Sequence, residues 1–341
     1  KGAPIPTIIT VAERKSLYDV PDERKSHISA VPTLGGIAIY AGIFISTSLI
    51  NDFSSVRELQ YLFGAASILF FMGVKDDILI LSASKKLLGQ LLAAIIVVKL
   101  GGFQLTSLHG FFGITEIPEY LGIIISIFTV IVITNSLNLI DGINCLSGSV
   151  GVITAGSFGA WFYFHGMQHY AMLSASVIGA LLGFLWFNKT PAKIFMGDTG
   201  SLILGIVISC LAIKFIEEKM IVDSATENTS AAAAIAIGIL VVPLFDTLRV
   251  FSVRIAEKKS PFEPDKRHIH HRLLDLGLNH IESTIVLVIV NIMFIVIAFA
   301  FHKLGTMTLT AILFGLATVF SYLPVYIIKR RKDTLKENSN E

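Results

Sequence analysis

The sequence predicts an all-α, polytopic membrane bundle. Composition comes first: 53% of the 341 residues are hydrophobic and only 15% are charged, and the mean hydropathy of +0.73 is too high for a soluble globular domain of this length. Apolar segmentation comes second. About ten stretches approach the roughly 20 residues that a spanning helix needs, near 34–50, 59–73, 87–101, 120–134, 147–165, 169–187, 201–215, 231–249, 282–301 and 306–328. The third observation is charge asymmetry. Alternate loops hold 21 of the Lys and Arg residues and the opposite loops hold 5, which by the positive-inside rule places the former in the cytoplasm.

In chain order, the opening Lys1-Gly2-Ala3-Pro4 leads into an apolar run to Ala12 that is too short to cross a bilayer alone, so an eleventh, N-terminal span is expected to precede it. It lacks the pattern of a cleaved signal. The ten spans read as one integral-membrane domain over 1–341, with a long cytoplasmic loop at 250–281 and a basic cytoplasmic tail at 329–341. The tail suits a stop at an anionic lipid surface. Cys145 in a loop and Cys210 inside a span form no disulfide framework. Nothing points to nucleic acid.

The acids are placed unusually. Asp76-Asp77, Asp141 and Asp198 all punctuate greasy segments in short polar loops on the cytoplasmic side. Adjacent acids at a helix end are commonly solvated loop charges. Carboxylates that converge on one face instead suit a hard cation such as magnesium, or manganese in its place. Asp76 and Asp77 are candidates for metal binding or for positioning a phosphate nucleophile, and Lys86 for gripping a phosphate oxygen. As a plain alternative, Lys86 is a snorkelling anchor.

Asn135, Asn138 and Asp141 follow an Ile/Val-rich span at i, i+3 and i+6, which puts them on one face of a continued helix. The neighbourhood carries no cation, and polar groups at membrane depth are usually functional. A helix end closed by Gly142 is the ordinary reading. In Met196-Gly197-Asp198-Thr199-Gly200-Ser201, Asp198 and Ser201 can each cap the next span. Two flanking glycines also let backbone amides approach a phosphate and the carboxylate meet a metal. Phe195 could stack a base.

The loop run Asp265-Lys266-Arg267-His268-Ile269-His270-His271-Arg272 concentrates imidazoles and cations. A zinc site would want thiolates, and at helical spacing His268 and His271 share a face while His270 points elsewhere. With Arg267 and Arg272 interleaved, a diphosphate-binding surface fits the composition better than zinc, since Arg recognises phosphate by paired hydrogen bonds. A basic membrane-surface loop is the alternative.

Taken together these motifs resemble the polyprenyl-phosphate N-acetylhexosamine-1-phosphate transferases of glycosyltransferase family 4, and more distantly phospho-N-acetylmuramoyl-pentapeptide transferase. The resemblance runs from about Arg14 to His280. It rests on Arg24-Lys25-Ser26-His27 with Val31-Pro32-Thr33-Leu34-Gly35-Gly36, on Asp76-Asp77 with Lys86-Leu87-Leu88-Gly89-Gln90, and on Asn138-Leu139-Ile140-Asp141-Gly142. Phe195-Met196-Gly197-Asp198-Thr199-Gly200-Ser201 and His268-Ile269-His270-His271 complete it.

The resemblance implies about eleven membrane helices and transfer of an N-acetylhexosamine-1-phosphate, GlcNAc-1-phosphate foremost, from a UDP-sugar to undecaprenyl phosphate with release of UMP. This would be the first membrane step of a cell-surface glycan, at the cytoplasmic face of a bacterial inner membrane. It further implies magnesium on Asp198, with Asp76 and Asp77 near the attacking lipid phosphate. Asn188 and Phe195 would lie at the uracil, and Asn138, Asp141, His268, His270 and His271 around the diphosphate and sugar. Membrane lipids are expected partners, and pairing into a homodimer stays open. One departure stands out: Cys145 occupies a position where the family commonly has glycine. A secondary transporter or channel and a non-enzymatic lipid-binding protein are the rival classes, although acids at span ends on one face argue against an ion path at the bilayer midplane.

Overall fold

The computed structural model describes residues 4–15, 31–51, 56–108, 110–114, 116–226, 231–258 and 267–338. The Arg24-Lys25-Ser26-His27 motif and the Asp265-Lys266 start of the histidine run lie outside the described residues. Among the described residues the regular structure is helical apart from isolated bridge positions, Ser107 paired antiparallel with Glu116 among them. In chain order the helices are α1 (Pro4–Lys15), α2 (Gly35–Ile50), α3 (Glu58–Leu79), α4 (Ala83–Ile95, continued by a π turn over Ile96–Leu100) and α5 (Glu119–Leu139). Then come α6 (Leu146–Phe164), α7 (Gln168–Asn188), α8 (Gly197–Thr226), α9 (Ala232–Ile239), α10 (Val241–Ala256), α11 (Ile269–Asp275), α12 (His280–Ala300) and α13 (Gly305–Asn338).

Each predicted apolar stretch falls on a helix or helix pair, with α9 and α10 together covering 231–249. Among the described residues, by length and composition, five helices can cross a membrane, or six when α9 and α10, bent by 83°, count as one span. Others fall short for visible reasons. α2 is only 16 residues long, and α3 carries Lys75, Asp76 and Asp77 in its last turns. The protein is a membrane-embedded helical bundle.

α8 is the axis of that bundle: 94% of its most apolar window is buried, against 22–39% for the other four spanning helices. Its neighbours come close because glycine faces them. A Cβ on Gly36 would run into the backbone at Thr199 and Gly200, one on Gly73 into Thr199, and one on Gly205 into Thr134. Removing these side chains lets helix backbones touch, the usual means of packing where lipid offers no hydrophobic drive. α2, α3 and α5 are thereby drawn onto the first turns of α8, where Asp198 sits.

The break between α9 and α10 has a chemical cause. Pro243 has no N–H to return to Ile239, four residues earlier, so the helical ladder cannot continue. The freed carbonyl of Ile239 accepts a bond from Asn291 Nδ2 of α12 at 3.2 Å. α12 itself starts at a capping box, in which Asn279 Oδ1 accepts the N–H of Glu282 at 3.0 Å and Glu282 Oε2 accepts the N–H of Asn279 at 2.8 Å.

Candidate active site

Three of the four acids are not in loops. α3 runs on to Leu79, so Asp76 and Asp77 lie in its last turns, and Asp198 lies in the first turn of α8. Only Asp141 occupies a turn, between α5 and α6. The continued helix expected through Asp141 is also corrected: α5 ends at Leu139, and the N–H of Asp141 falls back on the carbonyl of Asn138 at 3.2 Å.

Asp77 closes the amino end of α8. Its Oδ1 accepts the N–H of Asp198 at 2.7 Å, while its Oδ2 accepts the N–H of Thr199 at 3.1 Å and the Thr199 hydroxyl at 2.5 Å. The first N–H groups of a helix lack partners within it, and here a carboxylate from α3 supplies them, in place of the local cap expected from Asp198 or Ser201. Gly197 is required at this junction. Its φ is +71°, and a Cβ there would strike the carbonyl of Thr33 and the Asp77 carboxylate. The 31–36 segment is laced to the same loop: Phe195 donates its N–H to Pro32 at 2.7 Å, and Gly35 and Gly36 donate to the carbonyls of Phe195 and Met196 at 3.0 and 2.9 Å.

Asp76 and Asp198 form the second pair. Lys86, in the first turn of α4, places its ammonium on Asp76 Oδ2 and on Asp198 Oδ2. Asp76 Oδ1 accepts the N–H of Leu81 at 2.5 Å. Asn138 Nδ2 donates to Asp198 Oδ1 at 2.7 Å and to Ser201 Oγ at 2.8 Å. Asn135, one turn earlier, faces α4 instead and exchanges amide hydrogen bonds with Gln90 at 2.6 and 3.3 Å. Three helix ends and a lysine thus converge, although 112 residues separate Lys86 from Asp198.

Asp141 lies beside this pair, close enough to feel the charges of Asp198 and Asp77. Its Oδ1 accepts the Ser147 hydroxyl at 2.5 Å. Burial foremost, then those two neighbouring acids, push its carboxyl up to about 7. The turn that carries it is clamped on all sides. Asn144 donates from its amide to Thr190 at 2.9 Å, and its carbonyl accepts the Thr284 hydroxyl at 2.9 Å. Asn188 is 5% exposed; its Oδ1 accepts the N–H of Cys145 at 2.6 Å and its Nδ2 donates to Ile194 at 2.8 Å. Both ends of the Asn188 amide therefore join backbone segments, a scaffolding task that its sequence position did not announce.

The histidine run closes over this turn. A Cβ on Gly142 would meet the ring of His270, so the imidazole packs directly on the Asp141-Gly142 backbone. Burial holds His270 down to about 3, hence neutral, and its Nδ1 has no partner among the described residues. The face-sharing expected of His268 and His271 does not hold: His268 precedes α11 in an extended conformation, with ψ 150°. Its ring instead stacks with that of His270 at 5.8 Å and 8°, while His271 meets His270 at 4.3 Å. Arg267 forks onto Glu257 at 2.6 and 2.8 Å.

Sequence reasoning missed Asp246 of α10. Its Oδ2 bonds His268 Nδ1 at 2.8 Å, and its Oδ1 accepts the N–H of Ile269 and an Nη2–H of Arg249, each at 2.9 Å. The signal was available, since an acid and a base in the apolar run Leu244-Phe245-Asp246-Thr247-Leu248-Arg249 are costly at membrane depth. On its other side Asp246 borders an apolar cavity of about 290 Å³ between α10, α11, α12 and α13, lined by Phe245, Ile269, Leu273, Phe294 and Phe320 among others.

Among the described residues no three His, Cys, Asp or Glu side chains cluster as a ready metal cage. The donor chemistry of Asp76, Asp198 and Asn138 is nonetheless all oxygen on the acceptor side, two carboxylates now bridged by one ammonium. That set fits magnesium, which is typically held by one or two carboxylates and completes its shell with water and substrate phosphates.

The profile of Glycosyl transferase family 4 matches residues 59–216, the segment holding all four acids. A Bacillus subtilis (strain 168) protein named probable undecaprenyl-phosphate N-acetylglucosaminyl 1-phosphate transferase is 33% identical over 320 residues, covering 92% of this chain and 85% of that protein. The undecaprenyl-phosphate alpha-N-acetylglucosaminyl 1-phosphate transferase of Escherichia coli (strain K12) is 27% identical over 282 residues, 81% of this chain and 74% of its own length. Its namesake in Yersinia pestis is 26% identical over 283 residues, with the same shares. With these likenesses spread across the helices that build the acid cluster, the chain belongs to the polyprenyl-phosphate N-acetylhexosamine-1-phosphate transferase family, glycosyl transferase family 4.

Proposed function

We propose that this chain is a phosphoglycosyl transferase that moves GlcNAc-1-phosphate from UDP-GlcNAc to undecaprenyl phosphate and releases UMP, the first membrane step of a cell-surface glycan. The observation that carries this reading is the meeting of Asp76, Asp198, Asn138 and Lys86 at the ends of four helices. The names of the relatives supply the transferred group and the acceptor. In the reaction an oxygen of the lipid phosphate bonds to the sugar-linked phosphorus as the bridging oxygen leaves with UMP. The product is a polyprenyl diphospho-sugar.

Both reactants are anions, so the protein must align and neutralise more than it must abstract protons. Magnesium, held by Asp198 and Asp76, would supply charge neutralisation at the diphosphate. Lys86 neutralises a phosphate oxygen once freed from the carboxylates. Asn138 orients the Asp198 carboxylate through its 2.7 Å bond, and Asp77 orients the helix end that presents it. Asp141, Arg267, His268, His270 and His271 border the sugar and diphosphate, and Phe195 the uracil. The apolar cavity beside the histidine run has the character needed for hydrocarbon near a reacting lipid phosphate. The Lys and Arg asymmetry supports a cytoplasmic active site in a bacterial inner membrane.

The test uses purified chain in detergent with undecaprenyl phosphate, Mg²⁺ and a panel of UDP-sugars, read by mass spectrometry. UMP and the lipid diphospho-GlcNAc are expected together, and both should vanish in Asp198→Asn while its melting temperature holds. Uptake of a solute into proteoliposomes without UMP, or an Asp198→Asn variant as active as the parent, contradicts the reading.

A further inference from the structure

Asp246 sits 3% exposed in α10 with both oxygens committed to one short segment. Its Oδ1 accepts from the Ile269 N–H and from Arg249, its Oδ2 from His268 Nδ1. Arg249 reaches past it to the carbonyl of Arg267. Residues 267, 268 and 269 are therefore each tied to α10, and the chain leaves the break after Ile239 at the angle that makes this reachable. A carboxylate can only accept, so the 2.8 Å contact puts a proton on His268 Nδ1. Nε2, on the opposite side of the ring, is bonded by no described residue. The ring lies parallel to that of His270, whose Nε2 is the ring atom nearest the Asp141-Gly142 turn.

We propose that Asp246 is a positioning residue for the transfer reaction, locking the His268 ring with Nδ1–H on the carboxylate so that Nε2 is the nitrogen offered to a substrate phosphate oxygen. This rests on the function proposed above. A carboxylate behind an imidazole fixes both tautomer and orientation and stabilises the imidazolium when the far nitrogen donates to an anion. Asparagine in its place still accepts from Ile269, but its amide N–H faces Nδ1, which must then become the acceptor.

Turnover and ring protonation are read together. Asp246→Asn should lower kcat about 10- to 100-fold with a change in KM for UDP-GlcNAc below about threefold, and in a His268→Ala background the same change should cost nothing further, since the two residues act as one unit. Equal losses in both backgrounds, or an unchanged kcat, overturn the proposal. In ¹⁵N-histidine-labelled parent protein the resonance that disappears in His268→Ala should show a protonated Nδ1, moving to an unprotonated Nδ1 in Asp246→Asn. An unprotonated Nδ1 in the parent overturns the proposal even if Asp246→Asn fails to fold. Absence of UMP release by the parent would instead sink the transferase reading and leave the ring measurement standing on its own.

Discussion

The Asp77 carboxylate accepts the backbone N–H of Asp198 at 2.7 Å, so one member of the acidic pair caps the helix that presents the metal-binding candidate, while Asp76 meets Asp198 through Lys86. Two adjacent acids of one motif thus have separable tasks. Asp77→Ala removes three accepted hydrogen bonds at a helix N-terminus and is expected to cost about 1–2 kcal/mol, seen as a lower melting temperature with or without Mg²⁺. Asp76→Ala removes a partner of Lys86 and should shift the melting temperature less, but should weaken the stabilisation that Mg²⁺ confers. Equal thermal losses without metal would contradict this division.

Lys86 and a divalent cation would compete for the same two carboxylates. Lys86→Gln leaves Asp76 and Asp198 facing each other without a counter-charge. The metal-free variant should melt below the parent and regain more stability than the parent when Mn²⁺ is added. Its Mn²⁺ affinity, read by electron paramagnetic resonance, should rise about tenfold, which is about 1.4 kcal/mol, while UMP release falls. An affinity equal to or below the parent's would show that the ammonium does not guard the cation site.

Much of this arrangement was legible in the sequence because membrane helices advertise themselves by length and apolarity, and acids at their ends stand out. Asp76, Asp198 and Asn138 do converge, as do the histidine run and the Asp141 turn. Other features resisted for physical reasons. A helix can carry Asp76 and Asp77 beyond its apolar stretch when a neighbouring helix end supplies donors, so hydropathy ends α3 too early. Asn135 and Asn138 look equivalent at i and i+3, yet one faces Gln90 and the other Asp198, a choice made by packing against α4 and α8. Asp246 stands out in the sequence as a costly acid in an apolar run, but only the three-dimensional path of residues 267–269 shows what it holds.

Two buried groups near the site pull pH stability in opposite directions. Asp141 titrates near 7 in the folded protein, chiefly through burial, against about 3.9 for a free aspartate. Between those values the folded state holds the extra proton, so this group loses stability for the fold as pH rises from about 4 to 7. His270 titrates near 3 because burial disfavours its charge, against about 6.5 when unfolded. The unfolded chain then holds the extra proton, so stability is lost as pH falls below about 6.5. The two contributions oppose over most of that window in metal-free parent protein. Asp141→Asn mimics the protonated acid and keeps an acceptor for Ser147, so it should expose the histidine slope. Melting temperatures measured in EDTA should fall more steeply from pH 7 to 5 in the variant than in the parent, and parallel curves would refute the assignment.

Cys145 answers what the sequence left open at that turn. It adopts φ +67°, so the backbone keeps a glycine-like, left-handed shape although a side chain is present. An L-residue pays roughly 1–2 kcal/mol for that region. The surroundings enforce it: the N–H of Cys145 is held by Asn188, and its neighbour Asn144 by Thr190 and Thr284. Cys145→Gly relieves the strain at the expense of a more flexible unfolded chain, about 0.5–1 kcal/mol. The net expectation is a stabilisation of about 0.5–1 kcal/mol with UMP release unchanged, because the turn's geometry is already the one glycine would take. Thermal unfolding of the purified variant decides it. A lower melting temperature would mean that the Cys145 side chain contributes packing worth more than the strain it introduces.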